Sequence, residues 1–301
     1  MMKTIDTFGK KEQMFEDMLH DYDEAKLWLE SLGIRIELGR FQSYKKSIAQ
    51  SLKRGKFNSP DVNDSDALWA IAELHDLLEI SKYLGDIDQN LIQKTLNWLR
   101  KGPPLLSGEP NDGGGIHGRN FTFELYASSR FLRAGLDVSY QSDADLNISL
   151  SNTLLHVECK RAVTENNLEG LIQKAIEQID RSCGESQTDR GLIVLSLSKL
   201  FWQVQAALNQ GNVANESELQ SLLRPVSEEI ARELRARYAN KSDNVLGVIF
   251  HYKMPFYRRE NGFPAFINRF SFVSFSDPGT GNQVISDELS SHLINSVYKS
   301  G

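Results

Sequence analysis

The chain has 301 residues, with 34 Lys and Arg against 40 Asp and Glu, which gives a formal net charge of −6. This length allows a sizeable core in one or two domains, and the charge excludes a polybasic coat but not a local basic groove. Cys159 and Cys183 are too few for a disulfide framework and form no CxxC pair, so we expect a reducing, cytoplasmic location. We also expect no signal region and no membrane span, because no apolar run is long enough.

Residues 1–101 are predicted to form an all-helical N-terminal module. Apolar residues recur at helical spacing from about residue 10 onward, and no alternating β pattern interrupts them. The predicted helices and the glycines that end them are 14–32 with Gly33, 43–54 with Gly55, 64–83 with Gly85, and 89–99.

Residues 102–119 are predicted to be a linker, because Pro103, Pro104 and a run of glycines mark irregular backbone. The sequence GGGIHG lacks the Gly-Lys-Ser/Thr ending of a phosphate-binding loop and follows no strand. We interpret it as a loop and His117 as ordinary polar surface.

A helix is predicted over 120–134 and ends at Gly135. Glu124 lies on its core-facing stripe, because Ser128 and Phe131 follow it at helical spacing. A carboxylate among core-facing residues is costly unless it is paired or binds a metal. The alternative is a boundary glutamate that bends out to water.

A strand over 135–140 leads into a predicted β-hairpin over residues 145–160. DLNISL alternates apolar and polar residues, Ser151 and Asn152 are turn residues, and TLLHV supplies a more apolar second strand.

The second strand ends in Glu158, Cys159 and Lys160. Neighbours in a strand point to opposite faces, so Glu158 and Lys160 share a face from which Cys159 points away. A register with Asp145 opposite this end brings two carboxylates and an ammonium together, an arrangement that suits a hard divalent cation. Asp145 is preferred to its rival Asp143 because the apolar strand starts directly after it. The competing interpretation is a chance set of surface charges.

The D…ExK pattern of Asp145, Glu158 and Lys160 resembles the site of the PD-(D/E)XK nuclease superfamily, although Ala144 stands where the family name has Pro. The resemblance implies an α/β fold of the restriction-endonuclease-like class, with a mixed central sheet flanked by helices and preceded by the all-helical module. The nuclease-like domain would cover 120–301, with a helical insertion at about 199–240.

The resemblance also implies a Mg²⁺-dependent hydrolase of phosphodiester bonds, endonuclease or exonuclease, in which Mn²⁺ substitutes for Mg²⁺. Asp145, Glu158 and the backbone carbonyl of Cys159 would hold the metal. Lys160 would position the attacking water and stabilise the transition state, and Glu124 would hold a water or a second metal. DNA is the expected substrate ahead of RNA, in restriction, phage defence or repair.

A helix is predicted over 168–181, with Gln178 on its inward stripe. Gln178 matches the glutamine that related nucleases carry on this helix, while Gln173 is less well aligned. A glutamine that bonds only to backbone is the alternative for Gln178. The apolar run 191–198 is predicted to be a buried strand, reached by a parallel crossover.

Further strands are predicted over 245–252 and 266–275, and a closing helix over 285–298. Between the strands, HYKMPFYRRENGF combines aromatic rings and cations that suit stacked bases and phosphates. A loop tip with an apolar anchor is the equal alternative. The predicted nucleic-acid contacts are Lys253, Tyr257, Arg258, Arg259 and Arg161.

The expected partner is DNA, with no membrane, and a homodimer or a place in a larger protein system is left open. The alternative function is a non-catalytic nucleic-acid-binding or scaffold protein on the same fold. Degenerate members usually lose an acid or the lysine, and all are retained here. No P-loop, GxSxG or HExxH is present, and the lysine has no role in a glycosidase. We expect the helical module to bind substrate or to regulate.

Overall fold

The protein, seen in a computed structural model, is built around one mixed β-sheet. The structure describes residues 3–6, 15–37, 39–53, 65–85, 87, 89–103, 109, 117–140, 143–201, 213–214, 216–258 and 264–298. The helices are α1 (Phe15–Ser31), α2 (Arg40–Lys53), α3 (Ser65–Leu84), α4 (Gln89–Trp98), α5 (His117–Arg133), α6 (Leu168–Cys183), α7 (Glu216–Tyr238) and α8 (Gly281–Tyr298). The strands are β1 (Lys3–Asp6), β2 (Asp137–Ser139), β3 (Leu146–Leu150), β4 (Thr153–Arg161), β5 (Arg190–Ser196), β6 (Val213–Ala214), β7 (Val245–Arg258) and β8 (Pro264–Ser274).

The sheet has the strand order β1-β8-β7-β5-β4-β3-β2, and β6 pairs with β7 outside this path. The pairs β4/β5 and β5/β7 are parallel, whereas β3/β4 and β7/β8 are antiparallel. This mixed order confirms the predicted α/β class. None of the described helices is long and apolar enough to cross a membrane.

The predicted hairpin is present as β3 and β4. Leu146 pairs with Val157 and Leu150 with Thr153, so the connection has two residues. Ser151, the first of them, has a positive φ of 47°, as tight hairpin turns require. Alternation in the sequence therefore predicted this register correctly, although most residues of β3 and β4 are buried on both faces.

The predicted crossover from β4 through α6 to β5 is also present, with β5 parallel to β4. Helix and strand approach closely at Gly191, where an added Cβ would lie 2.1 Å from the side chain of Ile179. Apolar side chains of α6 pack with Ile193 and Leu195 on one face of the sheet. Those of α5 pack with Leu155 and Val157 on the other face. The end of β4 therefore lies between two helices.

The prediction that residues 1–101 are all helical is wrong at Lys3–Asp6, which form β1 and pair antiparallel with β8. Four residues are too few to give a periodic signal, and their partner strand lies at the far end of the chain. The helices α1–α4 share one apolar core with α5 and the sheet, in which Tyr22, Leu74 and Leu96 are buried. The helices α1–α4 therefore belong to the same packed core as α5 and the sheet.

Two further boundaries differ from the sequence prediction. The helix α5 begins at His117, so the last residues of the predicted linker are helical. The predicted insertion at 199–240 contains β6, which extends the sheet beside β7, and α7 runs through Pro225. Residues 104–108, 110–116 and 202–212 lie outside the described part of the chain.

Candidate active site

The end of β4 carries the predicted acid–lysine group. Asp145 directly precedes β3, and the register that pairs Leu146 with Val157 places it opposite Glu158. Opposed residues of an antiparallel pair project to the same face. The Lys160 Nζ lies 2.6 Å from Glu158 Oε2 and 3.6 Å from Asp145 Oδ2. The structure thus brings Asp145, Glu158 and Lys160 together, as the hairpin register predicted.

A backbone contact fixes Asp145. The backbone N–H of Cys159 donates a hydrogen bond to Asp145 Oδ2 at 2.7 Å. The Cys159 side chain is buried in the α5-side core, and burial raises the pKa of its thiol well above the usual range. The rival Asp143 is exposed and does not line the cavity described next. Metal binding by the Cys159 carbonyl stays a prediction.

A cavity of about 490 Å³ lies along this end of β4. Four of the predicted catalytic residues line it, and Glu158 is fully buried behind Lys160. The lining residues are Asn120, Glu124, Asp145, Cys159, Lys160, Arg161, Val163, Asn167, Gly170, Leu171, Lys174 and Gln178. The cavity therefore reaches from α5 to α6, past the start of the shorter strand β3.

Acidic groups dominate the electrostatics of this end of the cavity. Burial and the nearby carboxylate of Asp145 raise the pKa of Glu124 to about 8. Burial and Asp145 also raise the pKa of Glu158. Burial lowers the pKa of Lys160, but the negative charges of Asp145 and Glu158 raise it by more, so the net shift of this pKa is upward. Three carboxyl groups thus face one ammonium, and a further cation would relieve their repulsion.

The donor set fits a hard divalent cation. Within the described structure, Glu158 Oε1 and Gln178 Oε1 are buried and accept no hydrogen bond. A buried oxygen without a partner is costly and marks a place for a cation or a donor. Oxygen ligands of this kind suit Mg²⁺ or Mn²⁺. Asp145, Glu158 and Glu124 are the residues that would hold it.

The three acids do not lie as closely together as ligands around a bound ion. Among the described residues, the group of His, Cys, Asp or Glu whose ligand atoms all lie within 4.8 Å of one another is His20, Asp21 and Glu24. This group lies on one helix, α1, with His20 and Glu24 exposed, and exposed acidic groups of this kind are common without an ion. In the predicted site the Lys160 ammonium bridges the two carboxylates.

The prediction that Lys253 and Tyr257 contact nucleic acid is wrong, because both are buried. The predicted strand over 245–252 does not end there, because β7 continues as far as Arg258. There the ammonium of Lys253 is bonded to Asp76 of α3 and lies 4.7 Å from the ring centroid of Tyr126. A side chain enclosed in this way has no surface to offer a phosphate. The side chain of Arg258 and all of Arg259 lie outside the described structure.

Of the predicted nucleic-acid contacts, Arg161 does line the cavity. Its Nη1 donates to Asn120 Oδ1 at 3.3 Å and to Glu109 Oε1 at 2.7 Å. Sequence reasoning missed Lys174, although it lies one helical turn before Gln178 and so shares its face. It also missed Glu109, for which an irregular segment far from the hairpin gives no signal.

Comparisons with known proteins leave the family open. No protein-family model, no curated protein and no solved structure was found to match the chain. Function is therefore inferred from the geometry and chemistry of the site itself.

Glu124→Gln should change the pH dependence of stability in the metal-free protein. The folded-state pKa of about 8 lies above the ordinary value of 4.5, so the folded protein keeps a proton that the unfolded chain releases. Glu124 contributes its full stabilisation at pH values below the pKa that it has in the unfolded chain. This stabilisation is lost as the pH rises through the pKa of the folded state. Between these two pKa values, each unit by which the pH rises lowers the free energy of unfolding by up to about 1.4 kcal/mol. Glutamine removes this slope.

Urea denaturation in EDTA, at several pH values between about 5 and 8, measures the difference. Glu185→Gln, a change at an exposed carboxylate away from the cavity, is the matched control. Equal pH dependence in the wild type, Glu124→Gln and the control would contradict the buried, protonated state of Glu124.

Proposed function

We propose that this protein is a metal-dependent nuclease that hydrolyses phosphodiester bonds of DNA, with a PD-(D/E)XK-type site on a restriction-endonuclease-like fold. The observation that carries the proposal is the group formed by Asp145, Glu158 and Lys160 at the end of β4. Asp145 and Lys160 line one cavity with Glu124 and Gln178, the two other positions that the resemblance assigned, and Glu158 is buried behind Lys160. The unpartnered Glu158 Oε1 supports cation binding there.

Each side chain has a chemical role in this proposal. Mg²⁺ held by Asp145, Glu158 and Glu124 would polarise a phosphate oxygen and lower the pKa of a water. The Lys160 ammonium offers positive charge where the phosphate gains negative charge in the transition state. The Gln178 Oε1, which accepts no hydrogen bond from the described residues, can orient a water by accepting a hydrogen bond from it. The Cys159 N–H holds Asp145 in place.

Incubation of the purified protein with linear, circular and single-stranded DNA and with RNA tests this function. We expect DNA cleavage with Mg²⁺ or Mn²⁺ and none in EDTA. Asp145→Asn should lower the rate by about 100-fold or more, because it removes a charge that holds the metal. The matched control Asp143→Asn changes an exposed aspartate two positions earlier and should cleave normally.

Two outcomes would reject the nuclease proposal. Cleavage that is equal in the wild type and Asp145→Asn would place the activity elsewhere or in a contaminant. Binding of nucleic acid without cleavage under any metal condition would instead favour the scaffold function on the same fold.

A further inference from the structure

A second group of charges adjoins the cavity on the α5 side of β4. The Glu109 carboxylate receives hydrogen bonds from Arg161 Nη1 at 2.7 Å and Nη2 at 3.4 Å. The Lys199 Nζ donates to the Glu109 carbonyl oxygen at 2.8 Å and lies 3.8 Å from its Oε2. One carboxylate thus serves two cations.

The group is buried and carries excess positive charge. The side chains of Glu109, Arg161 and Lys199 are 0%, 9% and 5% exposed. Burial lowers the pKa of Lys199, Glu109 opposes that shift, and Arg161 adds to it. Two cations against one carboxylate leave a net charge of +1 beside the cavity, which Arg161 lines. Buried positive charge of this kind attracts an anion.

The paired contacts with Glu109 fix the guanidinium of Arg161. Two roughly parallel N–H···O bonds hold a guanidinium in one plane and orientation. The third contact, to Asn120 on α5, adds to this constraint. Glu109 therefore presents Arg161 to the cavity in a set position, at no cost of ordering when a ligand arrives.

A second cation reaches the same cavity from the opposite face of the sheet. Lys174 of α6 is exposed, lines the cavity, and forms no ion pair with any residue that the structure describes. Exposed lysines on a helix often pair at i±3 or i±4. The neighbours of Lys174 at i±4 are Gly170 and Gln178, and the acid at i+3, Glu177, accepts a hydrogen bond from Gln173. Among the described residues, no carboxylate lies within ion-pair distance of Lys174.

We infer that Arg161 and Lys174 form a phosphate-binding subsite beside the carboxylates, and that Glu109 is the positioning residue that holds Arg161 in it. The inference rests on the proposed nuclease function and names what the cavity would take: backbone phosphates of DNA next to the bond that is cut. Acids that hold a metal and cations that hold neighbouring phosphates are then parts of one cavity. Arg161, on the α5 side of the sheet, and Lys174, on the α6 side, would then contact the DNA strand on both sides of Asp145.

DNA binding measured in the absence of a metal ion tests this subsite separately from cleavage. Fluorescence anisotropy of a labelled DNA duplex in EDTA gives the affinity over a series of NaCl concentrations. Lys174→Gln should make the slope of log K against log[salt] shallower by about 0.9, and weaken binding on the order of tenfold at about 0.1 M NaCl. Lys241→Gln, which changes an exposed lysine outside the cavity lining, should leave both unchanged.

Glu109→Gln tests whether Glu109 positions Arg161, because the change in net charge and the loss of the Arg161 contacts have opposite effects on the affinity for DNA. The variant gains one positive charge, so electrostatics alone would tighten DNA binding. Loss of the paired contacts with Arg161 should weaken it instead. Thermal unfolding of the same sample checks that the variant is folded, and Glu109→Asp, which keeps the charge, should recover part of the affinity.

The results separate this subsite from the function on which it rests. If Lys174→Gln and folded Glu109→Gln bind like the wild type, or Glu109→Gln binds more tightly, the subsite is wrong even though the wild type cleaves DNA. If the variants bind weakly and the wild type binds but never cleaves, the subsite stands and the catalytic proposal fails. If the wild type binds no DNA in EDTA, the subsite is wrong, and if it also cleaves no DNA with Mg²⁺ or Mn²⁺, both fail.

Discussion

Lys160→Ala is expected to slow DNA cleavage on the order of 10²–10³-fold while metal binding survives. The change removes the ammonium that bridges Asp145 and Glu158 but keeps both carboxylates. In the metal-free protein it also leaves the fully buried Glu158 carboxylate without its ion-pair partner. We therefore expect Mg²⁺ to raise the unfolding temperature of Lys160→Ala more than that of the wild type, because the ion then neutralises both acids.

Single-turnover cleavage under matched metal and salt gives the rate, and thermal unfolding with and without Mg²⁺ gives the second readout. Lys241→Ala, a change at an exposed lysine outside the cavity, is the control and should behave as the wild type in both assays. Cleavage by Lys160→Ala at the wild-type rate would remove Lys160 from the mechanism. An unchanged Mg²⁺ shift would contradict its place between two metal ligands.

Lys253→Met is expected to destabilise the protein by about 3–5 kcal/mol without changing how it binds DNA. The side chain is 3% exposed, its ammonium is paired with Asp76, and its Nζ also donates to the Ala72 carbonyl at 3.3 Å. Methionine keeps the apolar length but leaves the partly buried Asp76 without its ion-pair partner. Burial already raises the pKa of Asp76 to about 6 despite Lys253. The penalty should shrink at acid pH, where Asp76 takes up a proton.

Urea denaturation at about pH 5 and pH 8 measures both the cost and its pH dependence. The double variant Lys253→Met with Asp76→Asn should recover much of the lost stability, because it no longer contains the unpaired carboxylate of Asp76. A small loss of stability together with a shallower salt dependence of DNA binding would mean that Lys253 is a surface phosphate contact after all.

Local pattern was enough to predict the hairpin and the crossover that follow each other from residue 145 to residue 196. The alternation in β3, the turn at Ser151 and the apolar run of β5 are all properties of short segments. They fix which face each side chain takes, and so they placed Asp145 opposite Glu158 before any contact was known. The helical stripe of α6 placed Gln178 in the same way.

Other features depended on partners far away in the chain. The charge of Lys253 resembles a surface cation in the sequence, yet its partner Asp76 lies 177 residues earlier and α3 covers it. The strand β1 exists because β8 offers it an edge. Glu109 finds Arg161 only when the folded chain brings them together.

The sequence by itself determined the register of the hairpin and the meeting of the acid–lysine group, because a side chain's face follows from its own periodicity. The α/β class was expected from the resemblance that these residues carry. Only the tertiary structure decided which cations line the cavity and which are buried beneath a helix. Burial of a charge depends on the elements that pack over it, and no local pattern around Lys253 or Arg161 carries that information.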